Sequence, residues 1–149
     1  LTVVPDCLID DVAVCETSVL LLPGANTWND PKQGAIIEKA SELLSAGATV
    51  GAICGATAAL AGFGLLDGRP HTSNGPGFLE MVVPGYKGQG YYIDQPSVSD
   101  HNLITAGSTG SLLWAKQIIA HFVNQAIRHH RQPAHRMNRI FGITNCFEG

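Results

Sequence analysis

The stretch ATVGAICGATAALAGFG, residues 48–64, constrains this chain more than any other. Residues 48–53 form an apolar run suited to a buried strand. Residues 55–63, rich in Ala, suit a buried helix. Cys54 then falls on the sharp turn between them. A strand–turn–helix corner lifts its central side chain clear of the sheet, and its neighbours must be small because the backbone turns so tightly. The first N–H groups of the helix lack internal partners and point at the same spot. They favour a thiolate or an oxyanion there. This is a nucleophile elbow with sulfur in place of oxygen. A structural cysteine in a tight βα turn is the competing reading.

The flanking sequence has the punctuation of an α/β fold. Residues 1–4 suggest an edge strand closed by Pro5 and Asp6. Residues 18–22 (SVLLL) are apolar almost throughout, as in a strand covered on both faces. Asp30 and Pro31 begin a helix as N-cap and first helical residue. Ile36, Ile37, Ala40, Leu43 and Leu44 repeat at helical spacing, and Gly47 closes it. Further on, 71–74 reads as extended and 78–83 as one or two helical turns. Residues 91–93 and 103–105 read as strands around a polar turn at 99–102. Ser108 or Thr109 caps a last helix with an apolar stripe of Leu112, Leu113, Ala115, Ile118, Ile119, Phe122 and Val123. Alternating strands and helices predict a three-layer sandwich with a mostly parallel sheet. Ligands bind beyond the C-terminal strand ends of such sheets. The loops 24–28, 54–57 and 73–77 should therefore converge.

The 149 residues fit one domain over 1–125, followed by a basic tail at 126–149. Residues 1–125 carry 5 Lys and Arg against 11 Asp and Glu, a net −6, whereas the tail is +3. A body this acidic argues against nucleic acid as a partner. No apolar run reaches the ~20 residues a membrane span requires. The start has no charged-then-apolar leader. Cys7, Cys15, Cys54 and Cys146 lack CxxC pairing, so neither a zinc site nor a disulfide framework is indicated. A cytoplasmic protein with reduced thiols is the expectation. The chain opens on LTVVPD without a methionine, as if in the middle of a fold.

AICGATAALAGFGLLDGRPHTSN, with LLLPGANTW before it and DHNLITAGSTGSLLWAKQII after it, resembles the ThiJ/PfpI family of the class I glutamine amidotransferase-like superfamily. The likeness extends over residues 1–123 and is nearest to the bacterial amidotransferase-like and intracellular protease-like branch. It implies a flavodoxin-like sandwich, a cysteine on the elbow, and a homodimer. It also implies that the family's first strand, and the acidic residue after it that hydrogen-bonds the cysteine, lie upstream of Leu1. In protease-like members a histidine directly follows the nucleophile, and here that position is Gly55.

Cys54 is the candidate nucleophile. Gly55 and the Gly24–Ala25 loop are candidate N–H donors of an oxyanion hole. Asn26, Trp28, Ser73 and Asn74 are candidate pocket residues. His71, the histidine nearest the elbow in sequence, is a possible base, and its place at the start of segment 71–74 equally suits a structural role. Asp94 and His101 lie further along and read as solvated. His129, His130 and His135 in the tail fit no standard metal spacing. No metal or cofactor is implied. The resulting expectation is a cysteine-dependent hydrolase or hydratase of a small carbonyl, amide or nitrile-type substrate. A non-catalytic redox-sensing protein using the same thiol and a glutaminase are the alternatives.

Overall fold

The apolar run after Cys15 forms strand β1 (Val19–Leu22), and the run before Cys54 forms β2 (Thr49–Ile53). They pair in parallel, with Leu22 opposite Ala52. In this computed structural model, which describes residues 2 and 4–130 and side chains to residue 128, β2 pairs on its other side with β4 (Leu103–Ala106), again in parallel. Strand β3 (Ser97–Asp100) runs antiparallel on the edge beyond β4, giving the order β1-β2-β4-β3.

Helix α1 (Gly34–Ser45) starts three residues after the expected Pro31, because Asp30 and Pro31 open a 3-10 turn ahead of it. The Asp30 carboxylate accepts the Lys32 N–H at 2.9 Å, and Pro31 opens a 3-10 turn that leads into the helix. Gly47, at φ +85°, ends it. Its Ile37, Ala40 and Leu43 pack with Val50 and Ala52 of β2, and with Ala56 and Leu60 of α2 (Gly55–Gly62). Burying each of the larger of these side chains contributes about 1.5–3 kcal/mol. Helix α3 (Phe78–Val82) adds Leu79 to this core. Gly51 faces the other way. A Cβ there would meet Ile118 and Trp114 of α4 (Ser111–His130), so α4 covers the opposite face. The result is the expected mostly parallel, flavodoxin-like α/β sandwich.

Several local expectations are corrected. Among the described residues, strand β1 lies at the edge of the sheet and is covered on one face: Leu22 is buried, whereas Val19 and Leu21 are exposed, because α4 packs over β2, β4 and β3. Residues 91–93 are not a strand. Gln89–Tyr91 is a 3-10 turn, and Tyr92 makes an isolated bridge to His71. The antiparallel strand is Ser97–Asp100, and the polar turn narrows to His101 and Asn102. Helix α4 starts at Ser111, beyond Ser108 and Thr109. Its inward face is Trp114 and Ile118. Leu112, Leu113, Ile119, Phe122 and Val123 are exposed. Of residues 1–4, Thr2 and Val4 lie outside any strand, and Leu1 and Val3 are outside the described residues. So are His135 and Cys146, as are the side chains of His129 and His130. Among the described residues, no helix is long and apolar enough to cross a membrane.

Candidate functional site

Cys54 sits between β2 and α2 with φ +58° and ψ −125°, a conformation that a residue with a Cβ seldom adopts. Three contacts hold it there. Its N–H donates to the Ala106 carbonyl at 3.0 Å, which ties the elbow to the end of β4. Its carbonyl accepts the Thr57 N–H at 3.1 Å and the Thr57 hydroxyl at 2.6 Å. Thr57 Oγ1 lies 2.6 Å from Ser73 Oγ. The Thr57 proton is committed to Cys54, so Ser73 is the donor of that pair.

The three expected loops converge on this elbow. A Cβ on Gly24 would lie 3.0 Å from Cys54 Cβ and 3.6 Å from Sγ, so the glycine backbone lies against the cysteine side chain. Ala25 turns its carbonyl oxygen onto Gly55, leaving no room for a Cβ there. This gives Gly55 a physical reason: a histidine after the nucleophile would collide with the 24–25 loop. Trp28, with its indole N–H donating to the Pro23 carbonyl at 2.8 Å, packs its ring beside Gly55. From the third loop, Asn74 Nδ2 donates to Cys54 Sγ at 3.4 Å, while Asn74 Oδ1 accepts the Ser108 N–H at 3.0 Å. Asn26 is exposed on its loop, with no side-chain hydrogen bond among the described residues.

His71 is not a base for Cys54. It is fully buried, and both ring nitrogens are occupied. Nδ1 pairs with the Arg69 carbonyl at 2.6 Å, and Nε2 with the Tyr86 hydroxyl. A carbonyl can only accept, so Nδ1 carries the proton and Tyr86 donates to Nε2. Burial lowers the pKa of His71, only partly offset by the Arg69 carbonyl. Burial, with Glu80 nearby, pushes the Tyr86 phenol up to about 12. Both groups are neutral near pH 7. The rings of Tyr86 and Tyr92 pack edge-on against His71, which completes a structural knot.

His101 is also remote. His101 caps the β3–β4 hairpin at the end of the sheet opposite Cys54, beside Asp100, and Asp94 is exposed. Burial raises the pKa of the Asp100 carboxyl, but hydrogen bonds from Arg69, at 2.7 Å, and His101 outweigh it and hold the group below its usual range. The site residues that sequence reading missed are Thr57 and Ser108. A threonine in the first turn after an elbow was the available sign of the first, since its hydroxyl can reach back three residues. Ser108 acts through its backbone and left no sign.

A strained cysteine corner on a parallel sheet, closed by the loop after β1, agrees with the match of residues 1–121 to the DJ-1/PfpI family. The chain belongs to that family. YoaZ of Bacillus subtilis (strain 168), named an uncharacterized protease, is 40% identical over 119 residues, 80% of this chain and 57% of its own length. A ThiJ/PfpI family protein from Bacillus anthracis shares 40% identity at a TM-score of 0.79, with 82% of this chain and 57% of that one covered. A DJ-1 superfamily protein from Agrobacterium tumefaciens shares 27% identity at a TM-score of 0.70, over 87% of this chain and 74% of that one. The chain thus spans little more than half the length of its Bacillus relatives.

Proposed function

We propose that this DJ-1/PfpI protein is a cysteine-dependent hydrolase or hydratase acting on a small carbonyl, amide or nitrile-type substrate. The observation that carries the reading is the Cys54 backbone, held at φ +58° and ψ −125° by bonds to Ala106 and Thr57. Strain of this kind costs about 1–3 kcal/mol and persists where the surroundings enforce it, commonly at functional sites. Cys54 Sγ forms a bond to the electrophilic carbon, and the carbonyl π pair moves onto oxygen. Backbone N–H groups of Gly55 and of the Gly24–Ala25 loop stabilise that oxyanion. The oxyanion pair then re-forms the carbonyl, the C–N or C–O bond to the amine or alcohol breaks, and that group departs with a proton from water, leaving a thioester. Water adds to the thioester carbon, the C–S bond breaks, and the acid leaves with Sγ restored. The protease name of the YoaZ relative supports hydrolysis. The protein works in the cytoplasm as a homodimer. The exposed apolar residues Leu112, Ile119 and Phe122 of α4 support a subunit contact.

A second reading, reversible oxidation of Cys54 in a sensor, is favoured by one observation. The side chain bonded to Sγ is an amide, which cannot remove a proton. Glutaminase activity is less well supported, because His71 is committed elsewhere. A screen of ester, amide, nitrile and aldehyde substrates with wild type and Cys54→Ser tests the proposal. Turnover lost in the variant supports the enzyme. A labelled thiol without turnover, cleanly oxidised by peroxide, supports the sensor instead.

A further inference from the structure

Asn74 reaches Cys54 from the end of segment 71–74. A carboxamide has one donating and one accepting end. The backbone N–H of Ser108 can only donate, and it occupies the Oδ1 end at 3.0 Å. The Nδ2 end is thereby turned onto Cys54 Sγ, 3.4 Å away. Among the described residues, the group bonded to sulfur offers it a proton and cannot take one from it. The neighbouring residue acts on the other end of the same cysteine. Ser73 Oγ donates to Thr57 Oγ1, which holds the Cys54 carbonyl. The turn that orients Asn74 also presses on Ser73: a Cβ on Gly107 would lie 2.5 Å from the Ser73 carbonyl oxygen. Residues 73–74 thus grip both the backbone and the sulfur of Cys54, and residues 107–108 grip them in turn.

We infer that Asn74 is the positioning residue of Cys54. It aims Sγ and stabilises negative charge on it. This rests on the reading of Cys54 as the reactive thiol. The sulfur then reacts as a thiolate favoured by an N–H donor, and the proton it gives up goes to solvent.

The test is the rate of Cys54 alkylation by iodoacetamide against pH, followed by mass spectrometry in wild type, Asn74→Asp and Asn74→Ala. Asn74 is exposed, so both variants should fold. Aspartate keeps an acceptor for Ser108 and presents a carboxylate to sulfur. A like charge at that distance should move the labelling midpoint up by about one pH unit, so that labelling near pH 7 slows about tenfold. Alanine should move it in the same direction by less. Glutamine in place of Asn74 should recover part of the loss. Native Cys54 that labels with the wild-type midpoint in both variants overturns the role of Asn74 alone. Wild-type Cys54 that takes no label until the protein unfolds overturns this inference and the proposed function together.

Discussion

The carbonyl oxygen of Ala25 occupies the space that a Cβ on Gly55 would need. The loop after β1 and the first residue of α2 therefore fit only because residue 55 is glycine. Gly55→Ala should lower stability by about 1–3 kcal/mol, the usual cost of overpacking, in urea unfolding. Gly55→His should not create a cysteine–histidine pair. It should displace the 24–25 loop and slow Cys54 labelling. Faster labelling in Gly55→His would show that the loop yields easily.

Cys54 is strained, and glycine adopts its backbone angles freely. Cys54→Gly should therefore be more stable than Cys54→Ala by about 1–2 kcal/mol, reversing the ordinary order of those residues. Urea unfolding of the two variants measures the difference. An Ala variant as stable as the Gly variant would mean that the elbow is relaxed.

Thr57 and Ser73 differ in what their loss leaves behind. Thr57→Val removes the hydroxyl on the Cys54 carbonyl and strands the buried Ser73 donor, at a cost of about 1–3 kcal/mol. Ser73→Ala leaves the Thr57–Cys54 bond intact and should cost less. Thermal unfolding of both variants gives the order, and equal costs would argue against this direction of donation.

The strand–cysteine–helix corner, the body of α1 and the mostly parallel character of the sheet were readable in the sequence. Each rests on local signals: an apolar run, an Asp-Pro start, a glycine stop. The rest depends on contacts distant in sequence. Ser97–Asp100 has Val98 as its one apolar residue and becomes a strand by pairing with β4. Helix α4 is apolar on several sides, so its spacing could not say that Trp114 and Ile118 face the sheet. His71 looked like a possible base because its burial against Tyr86, 15 residues away, leaves no local sign. Asn74 was named in the sequence as a candidate beside the elbow. Its bond to Sγ depends on Ser108, 34 residues further on.

His71 predicts a pH dependence. Burial lowers its folded pKa, so below about 6.5 the unfolded chain takes up a proton that the folded one resists. Its contribution is present above that value and fades as pH falls through it. His121, whose pKa is also lowered by burial with Arg128 beside it, acts in the same direction. Urea unfolding at pH 7.5 and 5.5 should show lower stability at the acid end. Tyr86→Phe leaves Nε2 buried without its donor and should cost about 1–3 kcal/mol. It should leave the pH profile of Cys54 labelling unchanged, and a changed profile would return His71 to the site.

The central claim is that the fold makes Cys54 reactive. Cys7 is exposed and serves as an internal control, while Cys54 is half-buried. A brief iodoacetamide pulse on the native protein at pH 7, read peptide by peptide, ranks the two. The account predicts that Cys54 labels faster than the more accessible Cys7, and that unfolding in urea abolishes the difference. Cys54 labelling more slowly than Cys7 in the native protein, and catching up only on unfolding, would contradict it.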